Sequence, residues 1–345
     1  MKKYKITIIA FLILLVVPNA VMLFDASNTL HLSSKNPLTV LSEFKSHYLE
    51  NYGSKKTFLN SYIYFKRDVL SETPLPNRII KGKDNWWFLS NHYSNSLNDV
   101  YGIETLTSLE LDQIASNLKS WQTYLKKQNI AFYFVVPPDK NKIYKEKLPF
   151  QLKQKKSRIN QLKDHLKPFN IELIDLTQTE LKAKIQYDAY IKNDTHWNGF
   201  GAFEGYKTLM KSITSTFDIR SEHIGDYTLI TDENYTGDIP RLVNFEEKAT
   251  RLDLIKKPFL SEKRLDEDLE RHHYRADKNV DAMIFHDSFM LAMVPFVSET
   301  FKNTRYFKTY QLDQYNIKQH QPKIVILEVV ERNLLDLLKL KKPLE

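Results

Sequence analysis

Short apolar runs at Ala131–Val136, Ile171–Leu176, Ala282–Phe285 and Lys323–Val330 take turns with segments whose apolar residues recur at three- and four-residue steps. Runs of this kind are what strands buried on both faces look like, and the longer steps are those of amphipathic helices. Leu111, Ile114, Ala115, Leu118, Trp121 and Leu125 mark one such helix, and Phe203, Tyr206, Leu209, Met210, Ile213 and Phe217 mark another. A lysine-rich helix is expected near residues 152 to 168, and Trp86–Leu89 reads as a short strand. Strand and helix in alternation pack as an α/β fold with helices on both faces of a mostly parallel sheet. Residues 220–279 are polar and read as an irregular insertion. Ligands of open α/β sheets bind beyond the carboxyl ends of the strands, which says where a site is to be sought.

The N-terminus adds a different element. Ile6–Phe24 is apolar apart from Thr7, Pro18 and Asn19, long enough to cross a bilayer as a helix. Lys2, Lys3 and Lys5 precede it and Asp25 follows, which predicts a cytoplasmic N-terminus and an exported body on the far side of a cell membrane. A cleaved signal peptide is the alternative, although Val21–Phe24 offers no small-x-small cleavage site. Residues 1–24 are therefore read as tip and transmembrane anchor, 25–75 as a stalk punctuated by Pro37, Gly53 and Pro74, and 76–345 as the main domain. An apolar fraction of 42% over 345 residues supplies a full core. With no cysteine, any nucleophile is oxygen or nitrogen. The formal charge of +8 comes from scattered lysines with an excess between Lys140 and Lys167. In an exported body this is a solvated face near anionic lipid or an acidic polymer, not a nucleic-acid surface.

One set of residues carries chemistry. Ser288 follows the run Ala282–Phe285 at a strand end, and Asp194-Thr-His196-Trp197 stands upstream, just before a helix starting near Asn198. A serine hydroxyl needs an imidazole to take its proton and a carboxylate to fix the imidazole's tautomer. In an extended loop residues i and i+2 point the same way, which puts Asp194 beside His196. The same pair could instead ligate a metal with Asp287 or His286, although no third residue has a ligand's spacing. His272-His273 reads as solvated surface, Trp197 and Trp86-Trp87 as core or sugar-stacking aromatics, and Lys140 and Arg332 as ion-pairing residues.

Taken in order, Trp87-Phe-Leu, Val136-Pro-Pro-Asp-Lys140 with Tyr144 and Leu148-Pro149, Asp194-x-His-Trp, Gly237-Asp-Ile, Asp287-Ser-Phe and Ile326–Arg332 resemble the SGNH-hydrolase-like polysaccharide O-acetyltransferases of the alginate AlgJ/AlgX type. That resemblance implies a three-layer α/β/α domain with circularly permuted motif order, the Asp-His pair ahead of the serine. It implies an acetyl ester on Ser288, His196 as base then acid, and Asp194 as its orienting group. The Ser288 N–H would serve an oxyanion hole, with Gly237, Lys140 and Trp197 as further oxyanion or substrate-binding candidates. No cofactor or metal is implied. The partners would be a polysaccharide acceptor and a multispanning membrane-bound O-acyltransferase that delivers acetyl groups. A carbohydrate acetyl esterase and a non-catalytic glycan-binding or assembly protein remain the alternatives. At one position the chain departs from the pattern, with His286 where glycine usually precedes Asp-Ser.

Overall fold

The computed structural model describes residues 2–24, 36–151, 153, 155–265 and 270–344. Two compact units divide the chain, residues 1–74 and 75–345. In the first, helix α1 (Lys2–Phe24) contains the stretch Tyr4–Val21, whose mean hydropathy of 2.1 makes it long and apolar enough to cross a membrane. The segment expected to be a stalk is helical where it is described, as α2 (Pro37–Asn51) and α3 (Lys55–Tyr64). Pro37 had been read as punctuation, but proline suits the first helical position, and the Asn36 side chain caps the Leu38 N–H. Gly53 turns the chain between the two helices at φ 59°. Asp25, the charge expected to flank the span, lies outside the described residues.

The second unit opens with an antiparallel pair, β1 (Ile79–Lys81) and β2 (Trp87–Leu89), and a short α4 (Ser96–Val100). Helix α5 (Ser108–Lys127) starts at a reciprocal cap in which Thr107 and Glu110 satisfy each other's backbone N–H. Then come β3 (Ala131–Val136), α6 (Lys140–Ile143), α7 (Arg158–Leu166), β4 (Leu173–Asp175), α8 (Thr177–Gln186) and α9 (Gly199–Thr214). The lysine-rich helix is thus shorter than expected, because Ser157 takes an extended N-cap conformation and helix begins only after it.

The supposedly irregular stretch 220–279 is instead built of strands. β5 (Thr228–Thr236) pairs with β6 (Lys248–Ile255) across the small helix α10 (Asp238–Arg241), and β7 (Glu262–Leu265) pairs with β8 (Glu270–Tyr274); residues 266–269 lie outside the description. β5 is largely exposed, which leaves little apolar alternation to read. β8 lies between β7 and β10, and it buries the His272 and His273 side chains that had been placed on a solvated face.

The chain closes with β9 (Ala282–Phe285), α11 (Met290–Thr300), β10 (Asn303–Phe307), α12 (Gln314–His320) and β11 (Ile324–Glu328). The main sheet runs β4-β3-β11-β9-β10-β8-β7, parallel from β4 to β10 and antiparallel beyond. Strand period two divides its residues between two cores. Ala282, Ile284, Ile324 and Ile326 join α9 and α11 on one face, whereas Met283, Phe285, Val325 and Leu327 join α5 and α7 on the other. This is the expected three-layer α/β/α arrangement, and its parallel strands β9 and β11 end together beneath Ser288.

Candidate active site

Ser288 sits between the end of β9 and the first turn of α11, and His196 sits in the loop entering α9. That loop is fixed at both ends. Asn198 caps α9 by accepting the Gly201 N–H at 2.9 Å, and its own N–H donates to Ala189 O at 2.9 Å. Across 92 residues of sequence the two loops meet: His196 Nε2 lies 2.7 Å from Ser288 Oγ. The other ring nitrogen, Nδ1, is 2.7 Å from Asp194 Oδ1. This is a hydrogen-bonded serine, imidazole and carboxylate in line.

Asp194 is surrounded by donors. Its Oδ1 also accepts the His196 N–H at 3.0 Å, while Oδ2 accepts the Tyr235 hydroxyl at 2.9 Å and the Asp238 N–H at 3.1 Å. Burial works against its charge, but hydrogen bonds from His196 and Tyr235 outweigh it and hold the carboxyl well below the usual carboxylate range. Asp238 is a second carboxylate near the ring, with Oδ2 3.5 Å from His196 Nδ1. Burial and then the Asp194 charge push its carboxyl upward.

The other residues singled out in the sequence lie around this line in supporting positions. Lys140 is fully buried, and its ammonium donates to three carbonyls of the histidine loop: Ile191 at 2.7 Å, Lys192 at 2.8 Å and Asp194 at 2.9 Å. Burial pulls its pKa down to about 7 against the opposing pull of Asp194 and Asp238. Trp197 is buried, and its indole N–H donates to Phe289 O at 2.9 Å, bracing the residue after Ser288. Gly237 lies against Asn193, where an added Cβ would come within 2.1 Å of the Asn193 carbonyl oxygen. Its neighbour Asp238 supplies the N–H to Asp194, so this segment serves the carboxylate end of the line. His286 is buried, with its ring turned to the Asp287 carbonyl and edge-on to Tyr306. Its φ is not positive, and the backbone there accepts a side chain.

The ligand set joining Asp194 and His196 to Asp287 or His286 is not assembled, since both Asp287 oxygens face other donors. Asp194, His196 and Asp238 do present ligand atoms within 4.8 Å of one another. Every carboxylate oxygen among them, however, already accepts N–H or O–H groups, those of Asp238 from Thr195. Such a donor-filled pair suits an imidazolium better than a metal cation.

A cleft of about 500 Å³ opens on Ser288 and His196. Tyr235, Arg251 and Leu254 from the β5–β6 pair form one wall, and Leu291, Pro295 and Phe296 of α11 form the other. Arg251 lies 4.4 Å over the Tyr235 ring and bonds Asp253 at 2.7 Å. Tyr235 carried no readable signal in the sequence, whereas Asp238 stood in the Gly237-Asp-Ile motif.

Residues 79–271 match the family described as SGNH hydrolase-like domain, acetyltransferase AlgX. The chain belongs to this family. It is an SGNH-like acetyltransferase of the AlgX type, and the matched stretch holds Asp194 and His196 and stops short of Ser288. No curated protein matches the chain. Among solved structures, Bacillus cereus PatB1 with a sulfonyl adduct is 22% identical, with a TM-score of 0.61 over 78% of this chain and 100% of that one. The O-acetyltransferase domain of Pseudomonas putida AlgJ is 15% identical, with a TM-score of 0.50 over 75% and 92% of the two chains. A DHHW family protein from Eubacterium siraeum is also 15% identical, with a TM-score of 0.51 over 77% and 100%. At these identities the likeness is one of fold.

Proposed function

We propose that this AlgX-type acetyltransferase moves acetyl groups onto hydroxyls of a cell-envelope or secreted polysaccharide through an acetyl-serine intermediate on Ser288. The observation that carries the reading is the unbroken line from Ser288 Oγ through His196 to Asp194, each step 2.7 Å. His196 Nε2 takes the Ser288 proton as Oγ attacks the donor's carbonyl carbon, and returns it to the departing oxygen. The acceptor hydroxyl then gives its proton to Nε2 and attacks the acetyl ester, and Ser288 leaves with that proton. Asp194 keeps Nδ1 protonated and stabilises the imidazolium in both halves. The Ser288 amide lies just ahead of the N-cap of α11, where the helix N-terminus favours a developing oxyanion.

On this reading α1 anchors the protein with its catalytic unit outside the cytoplasm. The acetyl group would reach that side through a membrane-bound O-acyltransferase partner. With water as acceptor the same steps give ester hydrolysis, and the acceptor therefore has to be tested directly. Incubation of the full-length protein in detergent with an acetyl ester, followed by intact-mass analysis, should show one acetyl adduct in wild type and none in Ser288→Ala. Addition of oligosaccharides should discharge the adduct into acetylated sugar faster than water does. An adduct that persists in Ser288→Ala would refute the nucleophile assignment.

A further inference from the structure

A second acidic pair lies behind Ser288, and the transfer steps leave it unused. Asp287 Oδ1 accepts the Phe289 N–H at 2.8 Å, and Oδ2 accepts the Val330 N–H at 2.8 Å and the Tyr310 hydroxyl at 2.7 Å. Tyr310 is itself held by Asn333 Nδ2 at 2.8 Å. The Asp287 N–H donates to Glu328 Oε2 at 3.0 Å, and Glu328, the last residue of β11, is fully buried with no partner on Oε1. Burial first, and then the charge of Asp287, push the Glu328 carboxyl well above its ordinary range.

These facts fit together on one assumption. A carboxylate offers about four lone-pair sites, and three of those on Asp287 are filled by donors. The Glu328 and Asp287 side chains lie within hydrogen-bonding reach of each other, and a proton on Glu328 fills the fourth and makes the buried acid a donor. Both carboxyl groups are then satisfied in a site where an unmade hydrogen bond is costly.

We propose that Glu328, as a neutral acid, clamps Asp287 and thereby positions the Ser288 turn for attack, which makes Glu328 a positioning residue for acetyl transfer. The clamp joins the ends of β9 and β11, the two strands that meet beneath the nucleophile. It deepens the proposed function and rests on Ser288 being the nucleophile.

The test measures sulfonylation of Ser288 by an aryl sulfonyl fluoride and turnover of p-nitrophenyl acetate, both on the full-length protein in detergent. Glu328→Gln can still accept from the Asp287 N–H and donate to its carboxylate, and it should keep both rates within about threefold of wild type. Glu328→Met fills the space without either bond and should lower both rates at least about tenfold, in kcat with KM unchanged. Wild-type rates in a folded Glu328→Met protein would overturn the clamp, as would Glu328→Gln being as slow as Glu328→Met. If Glu328→Met does not fold, Tyr310→Phe decides, with a fall in kcat of about threefold expected and an unchanged kcat overturning the proposal. Absence of any Ser288 adduct in wild type would sink the nucleophile assignment and the clamp with it; the variant outcomes sink the clamp alone.

Discussion

The histidine loop and the serine turn are each held by an ionisable group, buried in the first and half-buried in the second, and the two groups have opposite sign. Residues 191–194 present carbonyls inward, and the Lys140 ammonium gathers three of them. The serine turn presents N–H groups inward, and the Asp287 carboxylate gathers those of Phe289 and Val330. In each case the sign follows from which backbone groups lack secondary-structure partners, since buried backbone polar groups must be paired. The loops share one pattern of solvent access: His196, its side chain 27% exposed, and the half-buried Ser288 both face the cleft, whereas Lys140 and Glu328 behind them are sealed. Side chains that react with substrate have to reach the cleft, and the groups that seat them only have to be rigid.

The largest effects should come from the line joining the two loops. His196→Ala should lower acetyl transfer about 10⁴-fold, and Asp194→Asn should come close to it by favouring the wrong tautomer. A loss below about tenfold in either variant would mean that the 2.7 Å contacts do not mark the base. Next in size is Lys140→Met, which strands two buried carbonyls, at about 1–3 kcal/mol each, and a part-buried one. Chemical denaturation should show a loss of several kcal/mol, together with loss of transfer. Gly237→Ala should resemble it, because the new Cβ would press within 2.1 Å of the Asn193 carbonyl and displace the same loop. A stable, active Lys140→Met protein would break the symmetry between the loops.

How much of this is legible in the chain follows from range. The strands β3, β9 and β11 announce themselves because burial on both faces leaves continuous apolar runs, and Asp194 and His196 can be paired from two-residue spacing alone. Lys140 stands in a quoted motif, yet its partners are carbonyls, which no side-chain pattern encodes. β5 to β8 escaped because exposed or charged strands show little hydrophobic alternation. Tyr235 and Glu328 owe their places to register and to strand order, and both are properties of the folded sheet.

The two carboxylates also predict a difference on acidification. Asp194 is held below the range of an unfolded aspartate, about 3.9, so its contribution to stability is present above that pH and is lost as pH falls through the folded value. The stability difference between wild type and Asp194→Asn should therefore shrink as pH falls below about 4. Glu328 is shifted the other way, so its contribution is fully present below the range of an unfolded glutamate, about 4.3, and is lost as pH rises; wild type should gain stability relative to Glu328→Gln as pH falls from about 7 to 4. Urea titrations of the three proteins across this range test both signs. A gap between wild type and Asp194→Asn that does not shrink below about pH 4 would contradict the first.

The smallest effect sharpens the comparison most. Tyr235 and Tyr310 each give one hydroxyl hydrogen bond to a carboxylate, Asp194 on the histidine side at 2.9 Å and Asp287 on the serine side at 2.7 Å. Tyr235→Phe leaves Asp194 with the His196 N–H, the His196 ring and the Asp238 N–H. The carboxylate stays charged and in place, and kcat should fall less than about tenfold. Tyr235 is also part of the cleft wall, with Arg251 over its ring, so a shift of the β5–β6 pair should raise the acceptor's KM as well. Tyr310 does not line that cleft, and Tyr310→Phe should change kcat alone. Steady-state kinetics with varied oligosaccharide acceptor separate the two outcomes. A KM effect confined to Tyr235→Phe would mean that the histidine side also senses the acceptor, while the serine side only holds the nucleophile. Equal KM effects in both variants would mean that the two supports move together, and the division of labour between the loops would have to be given up.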